Sequence, residues 1–240
     1  MKIIAIIQAR LGSSRLPGKV LMDICGKPML AHVIERARAI RGVDVIILTT
    51  PWEDRDPILE ALRHWLADSI IWHPHHPPDV LSGMHTAVNV PRVDVVLRLT
   101  GDCPLFDPAL GDLALTILMD GHYDYVGTTR PDITAQYPDG FDVEVVTREA
   151  FEYADQMALG EDRQHVLSFL WSRPERFRVY GLRLESQWDW ARSLKLSVDT
   201  ADDLASVRRI MARIPPNDYS MAATLQAAQE IAHEDSNYDV

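Results

Sequence analysis

The chain has 240 residues, a formal net charge of −11, 47% hydrophobic and 25% charged residues, and two cysteines. That length accommodates one α/β domain with a sizeable core in ordinary globular proportions, and the acidic excess excludes a general nucleic-acid binder. No apolar run reaches membrane-spanning length, and Cys25 and Cys103 have neither zinc spacing nor the number for a disulfide framework.

The first apolar stretch is too short, and wrongly flanked, for a signal peptide, so a cytoplasmic, reducing location is expected. Lys2–Gln8 reads as a strand, and it runs straight into the polar loop Arg10–Lys19. Pro28–Ile40 reads as a helix with Pro28 in its first turn and apolar residues at Met29, Leu30, Val33, Ile34 and Ala37. Strand Val43–Thr49, helix Pro57–Ala67, strand Ser69–Trp72, helix Asp79–Val88, strand Val93–Leu99 and helix Pro108–Met119 follow. Alternation at this pitch predicts a parallel, right-handed, doubly wound sheet, whose two-faced burial explains runs such as Ile3–Ile7.

From Tyr123 the rhythm changes. A long polar loop, Thr128–Gly140, precedes a strand at Phe141–Val146 and a helical zone at Arg148–Trp171. Strands at Phe177–Leu184 and Leu194–Val198 and helices at Ala201–Ala212 and Ala222–Ala232 complete the reading. No linker or repeat interrupts the chain. The expectation is one domain over 1–240: α/β, mostly parallel and doubly wound, with an insertion-rich second half.

Three segments carry chemistry. In the first loop, Gly12 and Gly18 let the backbone approach oxygen atoms, Ser13 and Ser14 offer hydroxyls, and Arg10, Arg15 and Lys19 offer fixed cations. At the carboxyl edge of a sheet that inventory suits a polyphosphate. The glycine offsets match neither GxxxxGK[ST] nor GxGxxG. A solvated basic turn requires fewer cations and glycines than these.

The second is Arg98-Leu99-Thr100-Gly101-Asp102-Cys103-Pro104-Leu105, with Asp102 just past a strand on the same edge. A carboxylate facing a polyphosphate calls for a divalent cation between them, so Asp102 reads as a magnesium ligand; it reads equally as an Asx-turn residue before Pro104. The third is Leu194 to Leu204, where Asp199 is either a second magnesium ligand or a helix cap, a job Thr200 can do alone. His73-Pro74-His75-His76 reads as an irregular loop rather than a metal site, Asp79 as a helix cap, and Trp188 and Trp190 as core or a subunit contact.

Together these segments resemble the cytidylyltransferase family that activates acidic sugars, most of all its spore-coat-polysaccharide type and more distantly the CMP-Kdo and CMP-acylneuraminate synthetases. The resemblance is carried by Gln8-Ala9-Arg10 through Ser14-Arg15-Leu16-Pro17-Gly18-Lys19, Gly26-Lys27-Pro28, Thr100 to Leu105, and Val198-Asp199-Thr200-Ala201-Asp202-Asp203-Leu204. It implies a glycosyltransferase-A-like nucleotidyltransferase fold, CTP as donor, magnesium as cofactor, a small acidic acceptor and a homodimer. By position it makes Arg10, Lys19 and Asp102 the catalytic group. Gly12, Ser13, Ser14 and Arg15 join Arg10 and Lys19 around the nucleotide, and Asp102 and Asp199 hold the metal. Backbone near Ala9, with Thr100, would read the cytosine.

Tyr137-Pro138-Asp139-Gly140-Phe141-Asp142-Val143-Glu144-Val145 resembles the family's acceptor-side strand, with Asp142 and Glu144 on one face; a solvent-facing strand edge is the alternative. Arg163-Gln164-His165-Val166 resembles its Glu-His-Val helix start, with Gln164 in place of the acid and His165 as a general base or a merely packed residue. The implied reaction moves CMP from CTP to an ulosonic-type acid with release of pyrophosphate, for cell-surface polysaccharide. A different triphosphate, a phosphonate or polyol-phosphate acceptor, or a non-catalytic nucleotide sensor are the other readings.

Overall fold

A computed structural model of the chain describes residues 1–66, 70–75, 79–88, 93–129 and 136–238. Strand β1 (Ile3–Gln8) leads through a small antiparallel ribbon, β2 (Asp23–Ile24) and β3 (Lys27–Pro28), into helix α1 (Met29–Ala39). Then come β4 (Val45–Pro51), α2 (Arg55–Leu62), β5 (Ile70–His75), α3 (Val80–Ala87), β6 (Val95–Thr100) and α4 (Pro108–Asp120). The second half contributes β7 (Tyr125–Gly127), β8 (Glu144–Thr147), α5 (Arg148–Met157), α6 (Ser168–Trp171), β9 (Val179–Gly181), α7 (Ala201–Met211) and α8 (Met221–Tyr238).

The strands form one sheet in the order β5-β4-β1-β6-β8-β7-β9. β5, β4, β1 and β6 are mutually parallel, and β8 alone runs antiparallel to its neighbours β6 and β7. The side-chain period of two divides the core into two layers. Ile3, Ala5, Ile7, Leu97 and Leu99 pack under α1, α4, α7 and α8, whereas Ile4, Ile6, Ile47, Val96 and Val146 pack under α3, α5 and α6. The sheet is therefore doubly wound and mostly parallel, as its apolar runs imply. Parallel register brings the carboxyl ends of β1, β4 and β6, at Gln8, Pro51 and Thr100, to one edge.

Several elements differ from the sequence reading. The strand expected at Ser69–Trp72 extends to His75, so His73 and His75 lie on a strand and not in an irregular loop; Ser69 and His76 fall outside the described residues. β5 is an edge strand, where Pro74 removes no interior ladder bond. Part of the Thr128–Gly140 loop, residues 130–135, also falls outside the description. The three-residue β7 was too short to stand out, and the zone Arg148–Trp171 breaks into α5, a 3-10 turn at Gly160–Arg163, and α6.

Phe141–Val146 becomes a strand only at Glu144, because the Thr128 hydroxyl takes the ladder's place by bonding the Phe141 carbonyl (2.9 Å) and the Val143 N–H (2.9 Å). Leu194–Val198 is not a strand. Its amides donate to loop carbonyls, Leu196 to Asp139 at 2.7 Å and Val198 to Asp102 at 2.9 Å. Gly140 allows that approach: its φ is +110°, and a Cβ there would lie 2.5 Å from the Leu196 carbonyl carbon. Of the two tryptophans in the 3-10 helix Ser186–Ser193, Trp188 packs against the core and Trp190 is exposed.

Candidate active site

At the carboxyl edge of the sheet, on the face covered by α3, α5 and α6, lies a cavity of about 520 Å³. Gln8, Arg98 and Thr100 form its floor, the loop after β1 forms one wall, and Val80, Gln164 and His165 form another. Gly101 lets the ends of β6 and β1 close this floor. Its N–H donates to the Gln8 carbonyl at 2.9 Å, and a Cβ there would come within 2.8 Å of that oxygen.

The first loop folds back on itself through the Gly18 N–H and the Leu11 carbonyl (2.8 Å), and Asp54 anchors it by accepting from the Leu11 N–H at 2.7 Å. Closure turns Lys19 inward, and the side chain is buried. Its ammonium has three N–H donors and three acceptors: Asp102 Oδ2 at 2.7 Å, Asp199 Oδ1 at 3.0 Å and the Val198 carbonyl at 2.7 Å. Residues separated by 83 and 180 positions thus meet on one nitrogen.

These contacts bear on the cap and turn alternatives that the sequence left open. α7 is capped by Thr200 and Asp203 in a reciprocal capping box, and Asp203 also accepts from the Asp199 N–H, so the Asp199 carboxylate is not a cap. It receives Lys19 and Arg15 (2.8 Å) on one oxygen and Lys195 (2.7 Å) on the other. Burial pushes its pKa up, but Lys195 and Lys19 outweigh burial and hold it at about 2. For Lys195 burial acts downward, and Asp199 and Asp139 more than reverse it. Asp102 gives Oδ2 to Lys19, its Oδ1 accepts from Cys103 Sγ at 3.8 Å, and the backbone of its turn is closed by the Cys103 N–H and the Thr100 carbonyl.

Of the other expected residues, Arg10, Ser13, Ser14, Arg15, Ala9 and Thr100 line the cavity. Arg10 is exposed, the Ala9 N–H is engaged by the Thr49 carbonyl (3.0 Å), and the Thr100 hydroxyl donates to Cys103 Sγ at 3.0 Å. Gly12 is exposed and does not line it. His165 lies at the rim, in a turn before α6 rather than at a helix start. Arg163 secures that turn, donating to Asp79, the N-cap of α3, and to Asp155 at the end of α5.

Asp142 and Glu144 do not form the wall directly. Glu144 is buried, pairs with Arg98 across the β6–β8 register, and accepts from the Tyr125 hydroxyl at 2.8 Å. Asp142 sits 3.5 Å from Cys103 Sγ, and burial, then Asp139 and Glu144, push its pKa up to about 7. Sequence reasoning passed over Arg98 and Lys195. The signal for Arg98 was a lone charge at the inward-facing position between Val96 and Thr100.

Four cations, Arg10, Arg15, Lys19 and Arg98, therefore line the cavity against two carboxylates, Asp102 and Asp199, in a chain whose net charge is −11. This local reversal of sign attracts polyanions.

Comparison with known proteins agrees with the site. A family model described as cytidylyltransferase matches residues 4–211. The chain is 28% identical over 214 residues to the spore coat polysaccharide biosynthesis protein SpsF of Bacillus subtilis, covering 87% of this chain and 85% of that protein. It is 36% identical over 146 residues to a 3-deoxy-manno-octulosonate cytidylyltransferase of Anaeromyxobacter sp., where the match spans 61% of this chain and 59% of the relative. A cytidylyltransferase structure from Leptospira borgpetersenii superposes with a TM-score of 0.84 at 23% identity, covering 98% of this chain and 96% of that one. The chain belongs to the cytidylyltransferase family and is a CTP-dependent nucleotidyltransferase.

Proposed function

We propose that the enzyme transfers CMP from CTP to a small sugar acid, releasing pyrophosphate, in the supply of activated sugar for a cell-surface polysaccharide. The observation that carries this reading is the meeting of Lys19, Asp102 and Asp199 beside a cation-rich loop. The sugar acid is supported by the relatives, one of which bears the name of a 3-deoxy-manno-octulosonate cytidylyltransferase and another that of a spore coat polysaccharide protein.

The donor set fits a magnesium ion that arrives with its nucleotide. Two carboxylates and the Val198 carbonyl converge on one point, while among the described residues no group of three or more His, Cys, Asp or Glu gathers as a self-sufficient centre. Magnesium commonly takes one or two carboxylates and completes its shell with phosphate oxygens and water. Asp102 and Asp199 would hold it. When bound, it neutralises phosphate charge and acidifies a nearby hydroxyl.

In the free enzyme Lys19 pairs with both of these acids. With nucleotide present, Lys19 exchanges them for phosphate oxygens, and Arg10, whose side chain has no ion-pair partner among the described residues, joins it on the leaving pyrophosphate. Ser13 and Ser14 line the same cavity. The protein's contribution is positioning and fixed positive charge, which is the usual demand of phosphoryl-type transfer.

Pyrophosphate release measured with each of four ribonucleoside triphosphates, against ulosonic acids, phosphonates and polyol phosphates, tests this function. Release confined to CTP with a sugar acid is expected. Equal release with all four triphosphates, or CTP binding without release across the whole panel, would overturn it in favour of a different transferase or a sensor.

A further inference from the structure

We propose that Arg98 is the specificity-determining residue that reads the acceptor's acid group, with Glu144 as its positioning residue. The inference rests on the function proposed above and assigns a part of the cavity to one chemical group. Val96, Arg98 and Thr100 alternate onto the same face of β6. The neighbouring inward positions, Ile4, Ile6, Ile47 and Val146, are apolar and buried. Packing alone does not ask for a guanidinium here, and burying one carries a desolvation cost.

The two members of the Arg98–Glu144 pair are unequally satisfied. Both Glu144 oxygens are engaged, one by Arg98 and one by the Tyr125 hydroxyl at 2.8 Å. Arg98 has five N–H donors, and Glu144 meets them only through Nη1. Its Nε is buried with no partner among the described residues, and 19% of the side-chain surface remains open in a residue that lines the cavity. A saturated acid behind a half-satisfied arginine is the arrangement that fixes a fork in one plane and leaves its outer edge for a ligand. Separate edges of one guanidinium can serve two carboxylates, so the pair with Glu144 does not exhaust it. Asp142, the other acid acting on Arg98, is pushed up to about 7 by burial and by Asp139 and Glu144, which makes it a weak competitor near neutrality.

Elimination points the same way. Of the four cations lining the cavity, Arg10, Arg15 and Lys19 belong to the single loop that faces the triphosphate. Arg98 comes from the adjacent strand, toward β8. An acidic acceptor seated beside CTP meets no other Lys or Arg among the described lining residues.

The test uses two variants: Arg98→Lys, which keeps a charge opposite Glu144 but loses the fork, and Arg98→Met combined with Glu144→Gln, which leaves neither charge buried alone. Their probes are CTP with 3-deoxy-manno-octulosonate and with N-acetylneuraminate, each beside its neutral carboxamide. The acid's KM is expected to rise on the order of 100-fold in the double variant and about 10-fold in the lysine variant, with CTP affinity by calorimetry within about threefold. Loss of preference for acid over carboxamide in the double variant completes the expected result. An unchanged acid KM, or parallel rises for acid and CTP, would overturn the assignment; should the double variant no longer bind CTP, the lysine variant decides. A parent enzyme that binds CTP yet releases no pyrophosphate with either acid refutes the proposed function itself, a result distinct from failure of Arg98 alone.

Discussion

On the side of the cavity formed by the loop after β1, charged groups share partners: Asp199 receives Arg15, Lys19 and Lys195, and Lys19 divides itself between two acids. On the floor toward β8, Arg98, Glu144 and Tyr125 are locked inside the sheet by strand register. The first arrangement can exchange one partner for another when a polyanion arrives, because Asp199 keeps Arg15 and Lys195 when Lys19 leaves it. The second cannot be rearranged without leaving a buried charge alone, so it suits a fixed reading of one ligand group. On the function proposed above, exchange of charge falls to one side and discrimination to the other.

The largest expected effect breaks the first side. Lys19→Ala is expected to reduce turnover by about 10³-fold or more with the fold intact, read by pyrophosphate release and thermal melting. Near-normal turnover would contradict the triphosphate role. In the same variant Asp102 loses its ion-pair partner and Asp199 one of three, so Mn²⁺ affinity without nucleotide, measured by electron paramagnetic resonance, is expected to rise about tenfold. Affinity equal to the parent's would show that Lys19 and a metal do not compete.

Asp102→Asn should lower activity by about 10²- to 10³-fold and leave the residual rate insensitive to magnesium. A parent-like response across a magnesium titration would remove Asp102 from the metal site.

Two smaller effects concern the frame. Gly140→Ala places a methyl group against the Leu196–Ser197 backbone at φ +110° and is expected to destabilise by about 2–4 kcal/mol in urea unfolding. Asp142 sharpens the second side. Its folded pKa of about 7 lies above the ordinary carboxylate value of 3.8, so its favourable contribution is complete below about pH 4 and fades as pH rises through 7. Asp142→Asn is expected to remove on the order of 2 kcal/mol of that decline between pH 4 and pH 8. Asp199, held at about 2, acts with the opposite sign, its contribution disappearing as pH falls from 3.8 through 2.

The same contrast explains what the sequence disclosed. Arg10, Ser13, Ser14, Arg15 and Lys19 stand within ten residues after an apolar strand, so composition and spacing alone marked them as an anion-binding loop. Asp102 and Asp199 were recognisable by their place after apolar runs, although setting aside the cap reading of Asp199 needed Thr200 and Asp203 in position. Arg98 was hidden because its meaning depends on facing Glu144 across the β6–β8 register, a pairing 46 residues apart in the chain. The parallel half of the sheet was legible from strand–helix alternation. Of the later elements the helices at Ala201–Ala212 and Ala222–Ala232 were legible too, whereas the start of the strand at Phe141 and the segment Leu194–Val198 were not, since Thr128 and Gly140 replace ladder pairing with local contacts that leave no periodicity.

Phosphorus-31 NMR of the enzyme incubated with CTP, magnesium and 3-deoxy-manno-octulosonate or N-acetylneuraminate tests the central claim most directly. Attack on the α-phosphorus predicts that the triphosphate signals give way to one phosphodiester and pyrophosphate in equal amounts. Formation of CDP and inorganic phosphate, or intact CTP with either acid despite measurable binding, would contradict it.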